Sequence, residues 1–184
     1  MTARDFFSRW RVRIGYLLAV VVLFLARPTA HSILLGATVG VIGLAIRAYS
    51  AGYLHKQEVL ATAGPYAYTR NPLYFGSSIL ALGAAMAMRS WLAAAVILFY
   101  FALVYTFVMR REEMELRGKH GAAFDAYAAA VPLFFPRLRP RSLPGGASGS
   151  FSWSQYKRNH EYEAPVGFLL FLILLAVIWR WRVL

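Results

Sequence analysis

Residues 73–109 read LYFGSSILALGAAMAM-RS-WLAAAVILFYFALVYTFVM. Leu73 to Met88 is sixteen residues without a charge, and Trp91 to Met109 is nineteen more. Only Arg89 and Ser90 separate them. A bilayer core takes about 20 apolar residues to cross as a helix. Two such runs joined by two residues leave room for one arrangement, an antiparallel hairpin of membrane helices. Working outward, Ala30 to Leu54 is long enough to span with one charge, Arg47. Pro165 to Trp181 is seventeen residues with Arg180 near its end, and Ile14 to Ala26 is thirteen, bounded by Arg13 and Arg27. The last is short, and Trp10 and the flanking arginine stems extend it by snorkelling. The reading is an all-α, polytopic membrane protein of about five transmembrane helices.

Composition agrees. The 184 residues are 59% hydrophobic and 15% charged, against about 45–50% and about 25% for a soluble domain. With no cysteine, a disulfide scaffold, a thiolate metal site and a cysteine nucleophile are excluded. The net charge of +12 suggests nucleic acid first, but orientation in a bilayer explains it better. With the N-terminus inside, the inside segments hold four, two and nine Lys and Arg, fifteen in all. The outside holds four (Arg27, Arg89, Arg180, Arg182), and Arg47 completes the twenty. That asymmetry is the positive-inside pattern, and no nucleic-acid-binding motif is visible. The expected setting is a bacterial inner membrane, with the N-terminus cytoplasmic and the C-terminus outside. Arg4, Arg9, Arg11 and Arg13 before an apolar stretch also resemble a signal peptide. Pro28-Thr29-Ala30 is a poor cleavage site, so the segment is expected to be retained.

The polar chemistry therefore lies on one face, in Ala51 to Asn71 and Arg110 to Ala164. Asn71-Pro72 reads as a helix start, since Asn is a favoured N-cap and Pro a favoured first residue. A helix N-terminus there also suits an anionic ligand group. Gly64, Pro65, Tyr66, Tyr68, Arg70, Tyr74 and Gly76 around it suggest a structured loop. The tyrosines equally fit an interfacial aromatic belt. In Arg110-Arg111-Glu112-Glu113-Met114-Glu115, spacing of four predicts pairs Arg111–Glu115, Glu113–Arg117 and Glu115–Lys119. Glu112 stands apart, because its helical neighbours Val108, Met109, Glu115 and Leu116 include no base. A carboxylate so placed at the membrane boundary is a functional candidate. Arg47 requires a partner or a watery cavity, or else snorkels to the inside face. Gly36, Gly40 and Gly43 have small-residue spacing for close helix packing. His31, His55, His120 and His160 form no ligand pair at helical spacing, so no metal site is expected. Arg137 to Ser154 reads as a flexible linker. Trp153 to Tyr162 reads as a short interfacial helix.

Two separated motifs, with the hairpin between them, resemble the isoprenylcysteine carboxyl methyltransferase and phospholipid methyltransferase superfamily of integral membrane enzymes. The first is Gly64-Pro65-Tyr66-Ala67-Tyr68-Thr69-Arg70-Asn71-Pro72-Leu73-Tyr74-Phe75-Gly76. The second is Glu112-Glu113 with Gly121, Phe124, Tyr127, Val131 and Pro132. The shared region is roughly Ala51 to Pro136; a linker and interfacial segment (137–163) and an additional helix (164–182) follow in one membrane domain. The resemblance implies S-adenosylmethionine as cofactor in a pocket at the cytoplasmic face. It implies cofactor contacts from Glu58, Val59, Leu60, Ala61, Tyr66, Asn71, Pro72, Leu73, Tyr74 and Glu112. The implied acceptor is lipophilic, a prenylcysteine-like carboxylate or a phospholipid amine. Arg70 or Arg110 would orient a carboxylate, and Glu113 is the candidate base for an amine. Arg70-Asn71-Pro72 replaces the Arg-His-Pro usual in the carboxyl methyltransferases. Asn71 to Ser77 looks more like the phosphatidylethanolamine methyltransferases. The rival readings are an NADPH-dependent sterol or enone reductase and a membrane scaffold or transporter subunit.

Overall fold

The computed structural model describes residues 18, 20–55, 59–141 and 149–183. Among them every regular element is helical. Residues 20–25 are helical, the visible part of the first apolar segment, whose beginning lies outside the described residues. Then come α1 (Ala30–Tyr53), a 3-10 turn (Gly64–Ala67), α2 (Pro72–Met88), α3 (Trp91–His120), α4 (Ala122–Ala130), α5 (Trp153–Arg158) and α6 (Glu163–Val183). Three of these, α1, α3 and α6, are long and apolar enough to span a membrane, and α2 is a shorter apolar helix of 17 residues. The chain is a polytopic membrane protein.

Helix α1 starts on a reciprocal cap. Thr29 Oγ1 accepts from the Ser32 N–H, and Ser32 Oγ accepts from the Thr29 N–H, which satisfies two donors that a helix start leaves open. Helices α1 and α2 then cross antiparallel with backbones nearly touching. A Cβ on Gly36 would lie 2.4 Å from the Gly83 carbonyl oxygen, and one on Gly43 would lie 2.6 Å from that of Gly76. This is the packing expected of small residues in a membrane, where dispersion between close backbones replaces the hydrophobic drive. Gly40 lies instead under the Phe168 ring of α6. At the far end Val22, Ala26, Ala87, Met88, Ala93 and Leu175 join the first segment, α2, α3 and α6 in one apolar cluster.

Helix α3 keeps going after Met109. Thirty residues at about 1.5 Å each give about 45 Å, more than the roughly 30 Å hydrocarbon core. Its charged last third therefore projects beyond the membrane. It stops at Gly121, whose φ of +50° suits the residue without a Cβ. Helix α4 folds back so that Phe124, Tyr127 and Val131 are buried against Leu60 and Leu116. The two chain segments carrying the sequence motifs thus meet at one end of the bundle.

The segments after α4 are docked rather than loose, which corrects the linker reading for the parts described. The Arg137 N–H bonds the Tyr68 carbonyl and the Arg141 N–H the Ala67 carbonyl, both at 3.0 Å. Farther on, the Ser152 N–H bonds the Gly52 carbonyl at 3.0 Å, with the Phe151 ring over Gly52. Asn159 Nδ2 donates to the carbonyls of Ala51 and Leu54, each at 2.9 Å. Those contacts engage carbonyls at the C-terminus of α1, of which Ala51 also accepts from the Leu54 N–H. Residues 142–148 lie outside the described residues.

Candidate functional site

The loop before α2 is held from behind by the extended strap after α4. The Arg70 N–H bonds the Pro132 carbonyl at 2.9 Å. Buried Thr69 donates from Oγ1 to the Phe134 carbonyl at 2.9 Å. Asn71 Nδ2 donates to the Leu133 carbonyl at 2.9 Å. Asn71 does occupy the N-cap position, but its side chain makes no capping bond. The helix-start reading holds, since the helix begins at Pro72 with Asn71 as N-cap, and only the side-chain capping bond is missing. The strap supplies a carbonyl acceptor that the Asn amide reaches, and a cap requires the side-chain oxygen to face the helix instead. Pro72 has no N–H and so leaves one fewer open donor at the start of α2.

Glu112 finds its partner on another helix. The Tyr74 hydroxyl of α2 donates to Glu112 Oε1 at 2.6 Å, and the Tyr74 ring meets Tyr105 of α3 edge-on at 4.9 Å between centroids. Helical spacing on α3 cannot reveal a partner thirty-eight residues away. Glu113 likewise escapes the predicted pairing with Arg117. Its Oε1 accepts from Arg70 Nη1 at 2.7 Å and its Oε2 lies 3.3 Å from Arg110 Nη1. Arg70 and Glu113 are each only 13% exposed, whereas Arg110 is 66% exposed. The stronger member of this triad is therefore the link from loop to α3. Arg117 pairs with Asp125 of α4 at 2.8 Å, and of the predicted helical pairs Arg111–Glu115 forms at 2.8 Å.

Two buried polar atoms here have no hydrogen-bond partner among the described residues, the Tyr66 hydroxyl and Arg70 Nε. An unsatisfied buried donor costs about 1–3 kcal/mol, so each favours gaining a further acceptor. The Tyr66 carbonyl is fixed by the buried Tyr127 hydroxyl at 2.8 Å. Burial first, then the nearby Tyr127 and Glu112, pushes the Tyr66 phenol well above its ordinary value. It therefore stays neutral and able to donate across the working pH range.

The predicted site residues thus divide. Tyr66, Arg70, Asn71, Pro72, Leu73, Tyr74, Arg110, Glu112 and Glu113 come from the loop, the start of α2 and the end of α3. Val59, Leu60 and Ala61 line a small crevice of about 30 Å³ together with Tyr53, His55 and Gly149. Glu58 lies outside the described residues.

Arg47 has the partner that an intramembrane cation requires. Nε donates to Glu161 Oε1 at 2.5 Å and Nη2 to Oε2 at 3.0 Å, a two-point pairing. Nη1 bonds Ser77, one turn along α2 from Tyr74. Glu161 is only 7% exposed. Sequence reading missed Glu161, although a signal existed. Few carboxylates are available, and Glu161 stands just before the last apolar run.

Comparison with known proteins follows the same residues. The phospholipid methyltransferase family model matches residues 11–123. The nickel-cobalt-cadmium resistance protein NccN of Alcaligenes xylosoxydans xylosoxydans is 34% identical over 150 residues, covering 73% of this chain and 68% of its own. The cobalt-zinc-cadmium resistance protein CzcN of Cupriavidus metallidurans is 35% identical over 162 residues, covering 82% and 71%. No solved structure matches. The family match covers more than half of the chain, taking in the first motif, the hairpin and Glu112-Glu113, and the chain belongs to the phospholipid methyltransferase family.

Proposed function

We propose that the protein transfers a methyl group from S-adenosylmethionine to a lipophilic acceptor at the cytoplasmic end of the bundle. One observation carries the reading. Two buried, unpartnered donors, Tyr66 hydroxyl and Arg70 Nε, accompany the Tyr74–Glu112 pair where the family's two motifs meet.

The donor set fits the cofactor. Arg70 Nε is a charged donor for its carboxylate, Glu112 an acceptor for its ammonium or hydroxyls, and the Tyr66 hydroxyl a neutral donor. The aromatic faces of Tyr74 and Tyr105 suit a cation. When bound, the cofactor supplies an activated methyl group on a positively charged sulfur. The protein's own work is positioning. Tyr74 fixes Glu112, Glu113 fixes Arg70, and the strap through Leu133 and Phe134 fixes the loop from which Tyr66 and Arg70 project. Holding donor and acceptor in reactive geometry can account for up to about 7–11 kcal/mol of a barrier. Arg110, exposed beside Glu113, would meet an anionic acceptor group, and Glu113 would take an amine's proton.

Family membership favours this reading over the reductase and scaffold alternatives. The relatives are named for resistance to nickel, cobalt, zinc and cadmium. Among the described residues no three His, Asp or Glu side chains converge on a metal-sized site. A methyltransferase would contribute to metal resistance through modification of a membrane component. Calorimetric titration of S-adenosylmethionine into the purified protein tests the proposal, with Glu112→Ala and Tyr74→Ala alongside. Binding by the parent and loss in both variants is expected. A parent that does not bind removes the methyltransferase reading, and two variants that bind normally remove the site. Transfer of labelled methyl into a lipid extract then identifies the acceptor.

A further inference from the structure

A sizeable cavity lies at the opposite end of the bundle from the candidate site. It holds about 800 Å³ between the starts of α1 and α3 and the end of α2. Its floor is apolar, with Leu82, Met86 and Leu98, and its rim carries His31, Arg89 and Trp91. Trp91 is 94% exposed, as suits a ring at a membrane interface.

The charges at this end have no counter-ion among the described residues. The chain's acids are Asp5, Glu58, Glu112, Glu113, Glu115, Asp125, Glu161 and Glu163. The six that are described all belong to the end holding Glu112. Arg27, Arg89 and Arg182 stand at the other end, where the Arg27 N–H bonds the Met88 carbonyl and Arg182 reaches the Ala26 carbonyl. Helices α1 and α3 begin at this rim while α2 and α6 end there, so the helix dipoles largely offset and the net positive charge comes from the side chains. Arg89 caps α2 with φ of +49°, a left-handed conformation where Gly or Asn is the usual occupant. Backbone cost accepted at a residue that carries a charge points to a use for the charge.

We propose that this cleft binds a phospholipid with an anionic headgroup, its phosphate on Arg89 and His31 and one acyl chain along the apolar floor. Water cannot satisfy an apolar cleft at membrane depth, and a chain with a phosphate at its end matches both the floor and the rim. The site stands independently of the methyltransferase reading.

Native mass spectrometry of the delipidated protein in neutral detergent tests it. The probes are phosphatidylglycerol, phosphatidylcholine of the same chain length, and inorganic phosphate. Expected is one retained phosphatidylglycerol per chain, favoured over phosphatidylcholine by about fivefold, the factor for one arginine near an anionic headgroup. Arg89→Asn keeps a residue suited to the left-handed cap and should abolish the preference. Ala94→Trp fills the cleft and should abolish retention of both lipids. Equal retention of the two lipids by the parent, or unchanged retention in Ala94→Trp, overturns the proposal. So does inorganic phosphate competing as well as the lipid, or a lipid-free dimer, which would make a second copy the occupant.

Discussion

Replacing Glu161 by Ala should destabilise this protein more than any exposed charge change, and the structure says by how much. Glu161 is 7% exposed and Arg47 20% exposed, and they share two hydrogen bonds, at 2.5 and 3.0 Å. Removing one member of a buried pair leaves the other charge uncompensated, which costs about 3–5 kcal/mol. Arg47 keeps Ser77, so the lower end, about 3 kcal/mol, is expected. For a chain of this length that is about 6–12 °C in Tm. Replacing both partners by apolar residues of similar size, Arg47→Met with Glu161→Leu, removes the two desolvation costs together. The double variant should lie within about 1 kcal/mol of the parent, since such exchanges are often neutral. The assay is thermal unfolding in detergent followed by tryptophan emission. Arg111→Ala serves as reference, because the Arg111–Glu115 pair is 67% and 55% exposed and should cost at most about 1 kcal/mol. A Glu161→Ala variant indistinguishable from that reference would refute the reasoning. So would a double variant as unstable as the sum of its singles, because residues in direct contact should not be additive.

The other predictions concern the site and its supports. Tyr66→Phe should leave the unliganded protein as stable or more stable by about 1 kcal/mol, because it deletes an unsatisfied buried hydroxyl. The same change should weaken S-adenosylmethionine binding, and a fall in Tm without ligand would show that the hydroxyl is already bonded. Gly43→Val should separate α1 from α2, because even a Cβ there would sit 2.6 Å from the Gly76 carbonyl oxygen. Loss of monodisperse protein in size-exclusion chromatography is expected. Thr69→Ala removes the bond to the Phe134 carbonyl at a position 1% exposed and should cost about 1–3 kcal/mol in the same melting assay. Hydrogen exchange should quicken at the Arg70 amide, which pairs with Pro132.

The hairpin, the glycine stripe and the gathering of polar residues at one end were legible in the sequence, because each follows from length, spacing or the cost of charge in lipid. Asn71 shows where such reading ends. Its propensity for the N-cap is real, yet an acceptor sixty-two residues away claims its amide. The same holds for Glu113, drawn from Arg117 on its own helix to Arg70 on the loop. Local rules rank the partners within a turn or two and cannot see one brought by the fold.

By itself, the sequence determined that this chain crosses a membrane as helices, that its acids and most of its bases collect at one end, and that Glu112 has no basic neighbour at helical spacing. Those conclusions rest on solvent preference, which each residue carries wherever it sits. Only the tertiary structure decided that Tyr74 holds Glu112, that Glu161 answers Arg47, and that the segment after α4 straps the loop of Tyr66 and Arg70. Hydrogen bonds and ion pairs are short and directional, so their partners are chosen by which donor and acceptor atoms the fold brings within about 3 Å. Close approach of helices at Gly36 and Gly43, together with the strap's return, makes that choice.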